Sequence, residues 1–291
     1  MEKNSKVIFI TGGSSGFGQS ICDHALKSGH KVAATFRNQD EVDEFNKKSD
    51  HAIGVYLDVT NDEQINKGVQ EVLSKFEKID VLINNAGYGH FDVIEGAKED
   101  VIQKQFDTNV FGLIKVTQAI LPQMRERRSG HIINFSSIAG VSSMPGMGVY
   151  CGSKFAVEGI TLALREEVAS FDIKATLIEP GAFDTKFFEN STFDNLKKNS
   201  PEGYKNVVDS IHQTFEQITD DESKMGDPDK LAQTIVYMIE NNLDATHVPL
   251  GQDSVKGFKD KIKVLQEAVD QWEEIGSQMS KSDDTPKKIA I

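Results

Sequence analysis

The stretch Val7-Ile8-Phe9-Ile10-Thr11-Gly12-Gly13-Ser14-Ser15-Gly16-Phe17-Gly18 decides how the rest of the chain is read. Four consecutive apolar residues read as a short buried strand, and the glycine-rich run ends it at once. From Gln19 to Lys27, Ile21, Ala25 and Leu26 return at helical spacing. A strand, a glycine turn and a helix start in succession make an anion site. The first N–H groups of the helix have no partner within it, and together with the helix dipole they attract a group such as a pyrophosphate. The glycines let the backbone come close to that ligand.

Working outward, short apolar runs keep alternating with longer helical patterns. Strands are expected at 6–11, 31–36, 53–57, 79–84, 131–136 and 174–179, and helices at 17–28, 40–48, 62–76, 98–126, 149–171, 228–241 and 254–278. This alternation predicts an α/β fold, a single doubly wound domain with a parallel sheet and helices on both faces. Ligands of such folds bind at the carboxyl ends of the strands. No linker, charge block or internal repeat divides residues 1–251, so they read as one domain. Residues 252–291 read as an appended amphipathic helix and a polar tail.

Tyr150 and Lys154 stand four apart, which places them on one helix face with Cβ atoms about 5–6 Å from each other. A free tyrosine titrates near about 10 and is a poor acid or base at neutral pH, but a nearby cation lowers that value. A serine hydroxyl from the preceding strand end, Ser136 or Ser137, would hold a carbonyl oxygen beside the phenol. The set is a proton donor aimed at a carbonyl, which is half of a ketone reduction.

The segments Thr11-Gly12-x-x-x-Gly16-x-Gly18, Asn84-Asn85-Ala86-Gly87, Asn109, Ser137, Tyr150-x-x-x-Lys154 and Pro180-Gly181 resemble, in order and spacing, the short-chain dehydrogenase/reductase family over about residues 5 to 251. Glu179-Pro180-Gly181-Ala182-Phe183-Asp184-Thr185 and Val248-Pro249-Leu250-Gly251 resemble its hydroxysteroid and retinol dehydrogenase-like branch. The resemblance implies a Rossmann domain and a catalytic set of Asn109, Ser137, Tyr150 and Lys154. Ser137 is chosen over Ser136 because it precedes Tyr150 by the family's separation. Asn109 is assigned a water that passes protons to Lys154, with a structural role as the alternative. The resemblance also implies cofactor contacts from Gly12, Ser14, Ser15, Gly16, Phe17 and Gly18, and from the adenine-flanking pair Asp58 and Val59. Asn85, Ala86 and Gly87 would lie against the ribose. Pro180, Gly181, Ala182 and Phe183 would hold the nicotinamide end and the Thr185 hydroxyl a nearby phosphate, with Tyr150 and Lys154 completing the set. Capping by Thr60 or Asn61 is an alternative for part of the Asp58 stretch.

Cofactor choice is read after the second strand. No carboxylate occupies the usual place for a ribose 2′-hydroxyl. Arg37 follows instead, and a guanidinium suits a 2′-phosphate, so NADP(H) is preferred over NAD(H). Asp40 and Glu41 are expected to open the next helix.

The expected function is an NADP(H)-dependent oxidoreductase that interconverts a ketone or aldehyde and its alcohol. The alternatives are a non-catalytic NADP-binding sensor and an epimerase or dehydratase on the same fold. Residues 185–225 form a long insertion with scattered aromatics, expected to be a substrate lid. Phe183, Phe187, Phe188 and Phe193, with Phe91 and Met144, point to a small apolar carbonyl or alcohol substrate. Val255, Phe258, Ile262, Leu265, Val269, Trp272 and Ile275 form an apolar stripe, expected to pack on the body or on a partner subunit. The resemblance allows a homodimer or homotetramer.

Composition narrows the classes. The 291 residues suffice for one large core, and the net charge of -13 argues against nucleic acid and anionic membranes as partners. Cys22 and Cys151 have neither zinc-site spacing nor a disulfide framework, and no metal is expected. No apolar run is long enough to span a bilayer, and the first strand begins too early for a signal peptide. A cytoplasmic location is expected.

Overall fold

A computed structural model describes residues 5–187, 193–219 and 225–280. Seven parallel strands form one sheet in the order β3-β2-β1-β4-β5-β6-β7. They are β1 (Val7–Ile10), β2 (Lys31–Phe36), β3 (Ala52–Tyr56), β4 (Val81–Asn84), β5 (Gly130–Phe135), β6 (Ile173–Pro180) and β7 (His247–Leu250). The order reverses between β1 and β4, and at such a switch point a crevice opens above the carboxyl ends.

Strand alternation divides the core in two. Ile8 and Ile10 join one cluster with Ile21, Cys22 and Ala25 of α1 (Gly16–Lys27), Val42 and Phe45 of α2 (Gln39–Asn46) and Ile235 of α9 (Pro228–Glu240). Val7 and Phe9 join the other with Ile65 and Val69 of α3 (Asp62–Phe76), Ile120 of α5 (Leu113–Arg127) and Leu164 of α6 (Gly148–Ala169). The central strands are buried on both faces, which is why they read as continuous apolar runs. Truncating Ile83 on β4 to alanine would cost about 2–5 kcal/mol by the usual cavity penalty.

Four expectations change. The helix expected over 98–126 divides into α4 (Glu99–Phe106), one wide π turn over Asp107–Gly112, and α5. The edge strand β7 went unforeseen because it is four residues long and carries Pro249, which an edge strand tolerates. The insertion contains α7 (Phe193–Asn199) and α8 (Lys205–Thr219). Val208, Ile211 and Phe215 are buried on one face of α8, a helical spacing that was available in the sequence. Finally, the tail helix α10 (Gln252–Gly276) forms, but of its stripe Phe258 touches the body, while Ile262, Leu265, Val269 and Trp272 are exposed. Phe188, the side chain of Phe193 and residues 281–291 lie outside the described residues. Among the described residues, no helix is long and apolar enough to cross a membrane.

Candidate active site

At the carboxyl ends of β1, β4, β5 and β6 lies a cavity of about 720 Å³. Every site residue expected from sequence lines it except Gly18 and Asn109. Gly12 and Gly16 take positive φ, 75° and 54°, a region glycine enters without strain. The turn is held by β2, where the Gly12 N–H donates to Thr35 Oγ1 at 3.0 Å and the Gly13 N–H to the Thr35 carbonyl at 2.9 Å. Asn85 fastens it from β4, its Nδ2 donating to the carbonyls of Thr11 and Gly12 at 2.9 Å. The Ser15 side chain at the start of α1 makes no capping hydrogen bond, which leaves that helix start facing the cavity. This is the donor set that a cofactor pyrophosphate requires, and the residues present fit such a group.

Arg37 is exposed at the cavity wall, and its charge acts across the cleft on Tyr88. Asp40 and Glu41 lie in the first turn of α2, as expected. The Asp58 carboxylate accepts from the Thr60 N–H and hydroxyl at 2.9 and 2.7 Å, while Asn61 caps α3. The capping alternative therefore holds for Asn61. Val59 is buried against Gly112 of the π turn.

Asn109 sits in that π turn and is 2% exposed. Its side chain accepts from the Tyr88 N–H at 3.1 Å and donates to the Tyr88 carbonyl at 2.9 Å and to Ser153 Oγ at 3.1 Å. These bonds clamp the loop after β4 onto α6. Asn109 is thus a neighbour of the cavity wall, its side chain engaged by Tyr88 and Ser153.

Ser136 and Ser137 follow the end of β5 and both line the cavity, but they meet different partners: Ser136 meets Glu158 and Ser137 meets Tyr150. Ser137 lines the cavity and its Oγ accepts from the Ala139 N–H at 3.1 Å. Tyr150 is 6% exposed, in an aromatic nest of Phe91 and Phe187 with ring centroids 6.3 and 5.4 Å away. Burial raises its phenol above the ordinary tyrosine range, and a hydrogen bond with Ser137 opposes the rise. The sequence expectation that Lys154 lowers this pKa is corrected here. Lys154 Nζ lies 5.9 Å from the ring centroid and donates to the Phe135 carbonyl at 2.7 Å. Burial pulls Lys154 itself down to about 8, with the Glu158 charge acting against that.

Glu158 escaped the sequence reading, although it follows Lys154 by four on the same face of α6. Burial pushes it up to about 7, and the Ser136 hydroxyl works the other way. Beyond it lies Glu179, pushed up to about 8 by burial and opposed by the Val248 N–H. Glu179 bonds His247 Nδ1 at 2.6 Å, and the same nitrogen is 3.7 Å from Glu158. Asp253 also escaped it. This first-turn residue of α10 accepts the Ala182 N–H at 2.7 Å, the group expected to meet a carboxamide. Both carboxylates come from segments whose neighbours only the fold supplies.

The apolar end of the cavity contains Met144, Met147, Phe187 and Phe215. Phe91 is wholly buried behind them, packed on Phe215 at 5.4 Å. Phe183 seals the floor, edge-on to Phe17 at 5.1 Å, and Thr185 lies against the glycine turn at Gly16.

Residues 6–195 match the short chain dehydrogenase family. A 3-ketodihydrosphingosine reductase of Bacteroides thetaiotaomicron is 37% identical over 80% of this chain and 83% of its own length. A short-chain dehydrogenase from Streptomyces avermitilis superposes with a TM-score of 0.85 at 32% identity, covering 96% of this chain and all of the other. The structure of ElxO with NADP bound superposes at 0.69 and 28% identity, covering 84% of this chain and 96% of the other.

Proposed function

The chain belongs to the short-chain dehydrogenase family of oxidoreductases, and from that premise we propose that it reduces an apolar ketone or aldehyde with NADPH. One observation carries this reading: the Tyr150 phenol, the Ser137 hydroxyl and the Lys154 ammonium line the same cavity as the glycine turn. NADPH, when bound, supplies a hydride to the carbonyl carbon. Ser137 holds the carbonyl oxygen, and Tyr150 gives it the proton. Because burial keeps the phenol protonated at neutral pH, the residue is loaded as an acid, the state that reduction needs. Lys154 supplies the fixed charge behind it and binds the ribose. Asn109 holds the loop after β4 in place so that the Lys154 side is shaped for a proton-carrying water.

Arg37 supports NADP(H) over NAD(H), as does the NADP held by ElxO. Gly12 and Ser14–Phe17 take the pyrophosphate, with Gly18 packed under the turn against Gly12, and Asp58 and Val59 take the adenine. Asn85–Gly87 back the ribose, Pro180, Gly181 and Phe183 back the nicotinamide, and the Thr185 hydroxyl, beside Gly16, holds a nearby phosphate. The described part of the insertion serves as the lid over the apolar end, through Phe187 and Phe215. That apolar wall and the keto substrate named for the Bacteroides relative both favour a ketone carried on a hydrocarbon body.

The test is NADPH oxidation, followed by absorbance, against long-chain, steroid and aromatic ketones, with NADH in parallel. Turnover with NADPH is expected, and Tyr150→Phe should lose about 10²–10⁴-fold in kcat. Near-normal turnover in that variant would overturn the assignment.

A further inference from the structure

The tail helix α10 leaves the body after its first three turns. Asp253 and Ser254 tie its start to β6, the latter through Ser254 Oγ to the Glu179 carbonyl at 2.7 Å. Phe258 packs on His247, and Lys261 lies over the Phe155 ring at 5.9 Å. Beyond that point the helix runs in the open. Ile262 is 65% exposed, Leu265 52%, Val269 57% and Trp272 51%.

These residues follow one another at steps of three and four: Val255, Phe258, Ile262, Leu265, Val269, Trp272, then Gly276. That is a 3.5-residue repeat over three heptads, with β-branched side chains at the first core position until Gly276, and Phe, Leu and Trp at the second. A repeat of that period is matched by another helix rather than by a flat surface. Charge identifies which helix. Lys256, Lys259, Lys261 and Lys263 fall in the first half of α10, against Asp253 and Asp260. Glu267, Asp270, Glu273 and Glu274 fall in the second half, which has no basic residue. The helix is therefore complementary to its own reverse.

We propose that α10 is a self-association element, pairing antiparallel with the α10 of a second copy of this chain about a two-fold axis. One register pairs the core positions from Phe258 to Gly276. Leu265 faces Val269 of the second copy, Ile262 faces Trp272, and Phe258 faces Gly276. Gly276 has nothing within 4 Å of where a Cβ would stand, so a large ring has room there. In the same register Lys259 meets Glu273, and Gln266 and Ala268 each meet their own counterparts across the axis. A parallel pair would stack the basic halves together and set Trp272 on Trp272. A two-fold pair makes each contact twice and closes on itself, so it does not propagate. The paired seam would be about 28 Å long, from the stretch Phe258 to Gly276 at about 1.5 Å per residue.

The test uses the full chain, whose native Cys22 and Cys151 are buried. Under mild oxidation, Gln266→Cys and Ala268→Cys should each form a covalent dimer, and Val264→Cys, on the outward face, should not. Adding Leu265→Asp to Gln266→Cys should lower the cross-linking yield at least tenfold, whatever other interface joins the subunits. Lys259→Glu should also lower it, and Lys259→Glu with Glu273→Lys should restore it. Absence of cross-links at 266 and 268, or equal yield at 264, would overturn the proposal. So would uncross-linked chain that co-sediments with phosphatidylserine vesicles, which would make the stripe a lipid-facing surface.

Discussion

Gly18→Ala puts the glycine turn to the sharpest test. A Cβ at residue 18 would collide with the Gly12 carbonyl oxygen and would stand 2.7 Å from Asn85 Nδ2 and 3.0 Å from the Gly12 carbonyl carbon. Two of these three atoms are backbone, and the third makes the two hydrogen bonds that fix the turn, so none yields cheaply. Forcing extra volume into such a site costs about 1–3 kcal/mol. If the turn moves to relieve the clash, its N–H groups leave the anion, and each 1.4 kcal/mol is about tenfold in affinity. The expected result is NADPH binding weakened about 10- to 100-fold in a fluorescence titration, with a lowered melting temperature. Gly159→Ala is the control. Gly159 is exposed inside α6 with nothing within 4 Å of its Cβ position. Alanine there should stabilise by about 0.5–1 kcal/mol and leave binding unchanged. Unaltered affinity and melting in Gly18→Ala would refute the argument that close approach to Gly12 shapes the site.

Arg37→Ala should raise the KM for NADPH about 10- to 100-fold, the worth of a charge-assisted hydrogen bond, and leave the KM for NADH nearly unchanged. Equal effects on both would remove the 2′-phosphate role. Glu158 and Glu179 bind protons more tightly folded than unfolded, since burial raises them to about 7 and about 8. Stability should therefore fall as pH rises from about 4.5 through that window, and Glu158→Gln should shrink the difference between melting temperatures at pH 5 and pH 7.5; an unchanged difference would show that Glu158 does not titrate there. Lys154, lowered to about 8, contributes the opposite slope above that pH. Without the Glu158 charge its value should fall further, so a rate limb belonging to Lys154 should move to lower pH in the same variant. Asp253→Ala should free the Ala182 N–H, lower the melting temperature and raise the cofactor KM; a change in neither would detach α10 from the loop after β6.

Some of this was legible before any coordinates because its cause is local. The run Val7–Ile10 with its glycine turn, the alternation of strands and helices, and the i, i+4 pair Tyr150 and Lys154 each follow from chain period and residue type. The choice of Ser137 over Ser136 followed from a spacing, and it is Ser137 whose hydroxyl meets the Tyr150 phenol. The unforeseen elements depend on neighbours far along the chain. β7 is a strand because β6 offers an edge that tolerates Pro249. Asp253 holds Ala182 across 71 positions. Glu158 becomes a buried acid because β6 and β7 bring Glu179 and His247 to it.

Tyr150 shows the division most clearly. The sequence by itself determined that a cation shares its helix face and that a serine lies at the nearest strand end. Only the tertiary structure decided the balance. Phe91 and Phe187 exclude water from the phenol, so desolvation raises it against the Ser137 hydrogen bond, while the lysine ammonium is drawn to the Phe135 carbonyl. Likewise, the heptad of α10 was written in the chain, but its exposure was not. Sequence period records which side of a helix is apolar, and only packing determines whether the body of the molecule covers it.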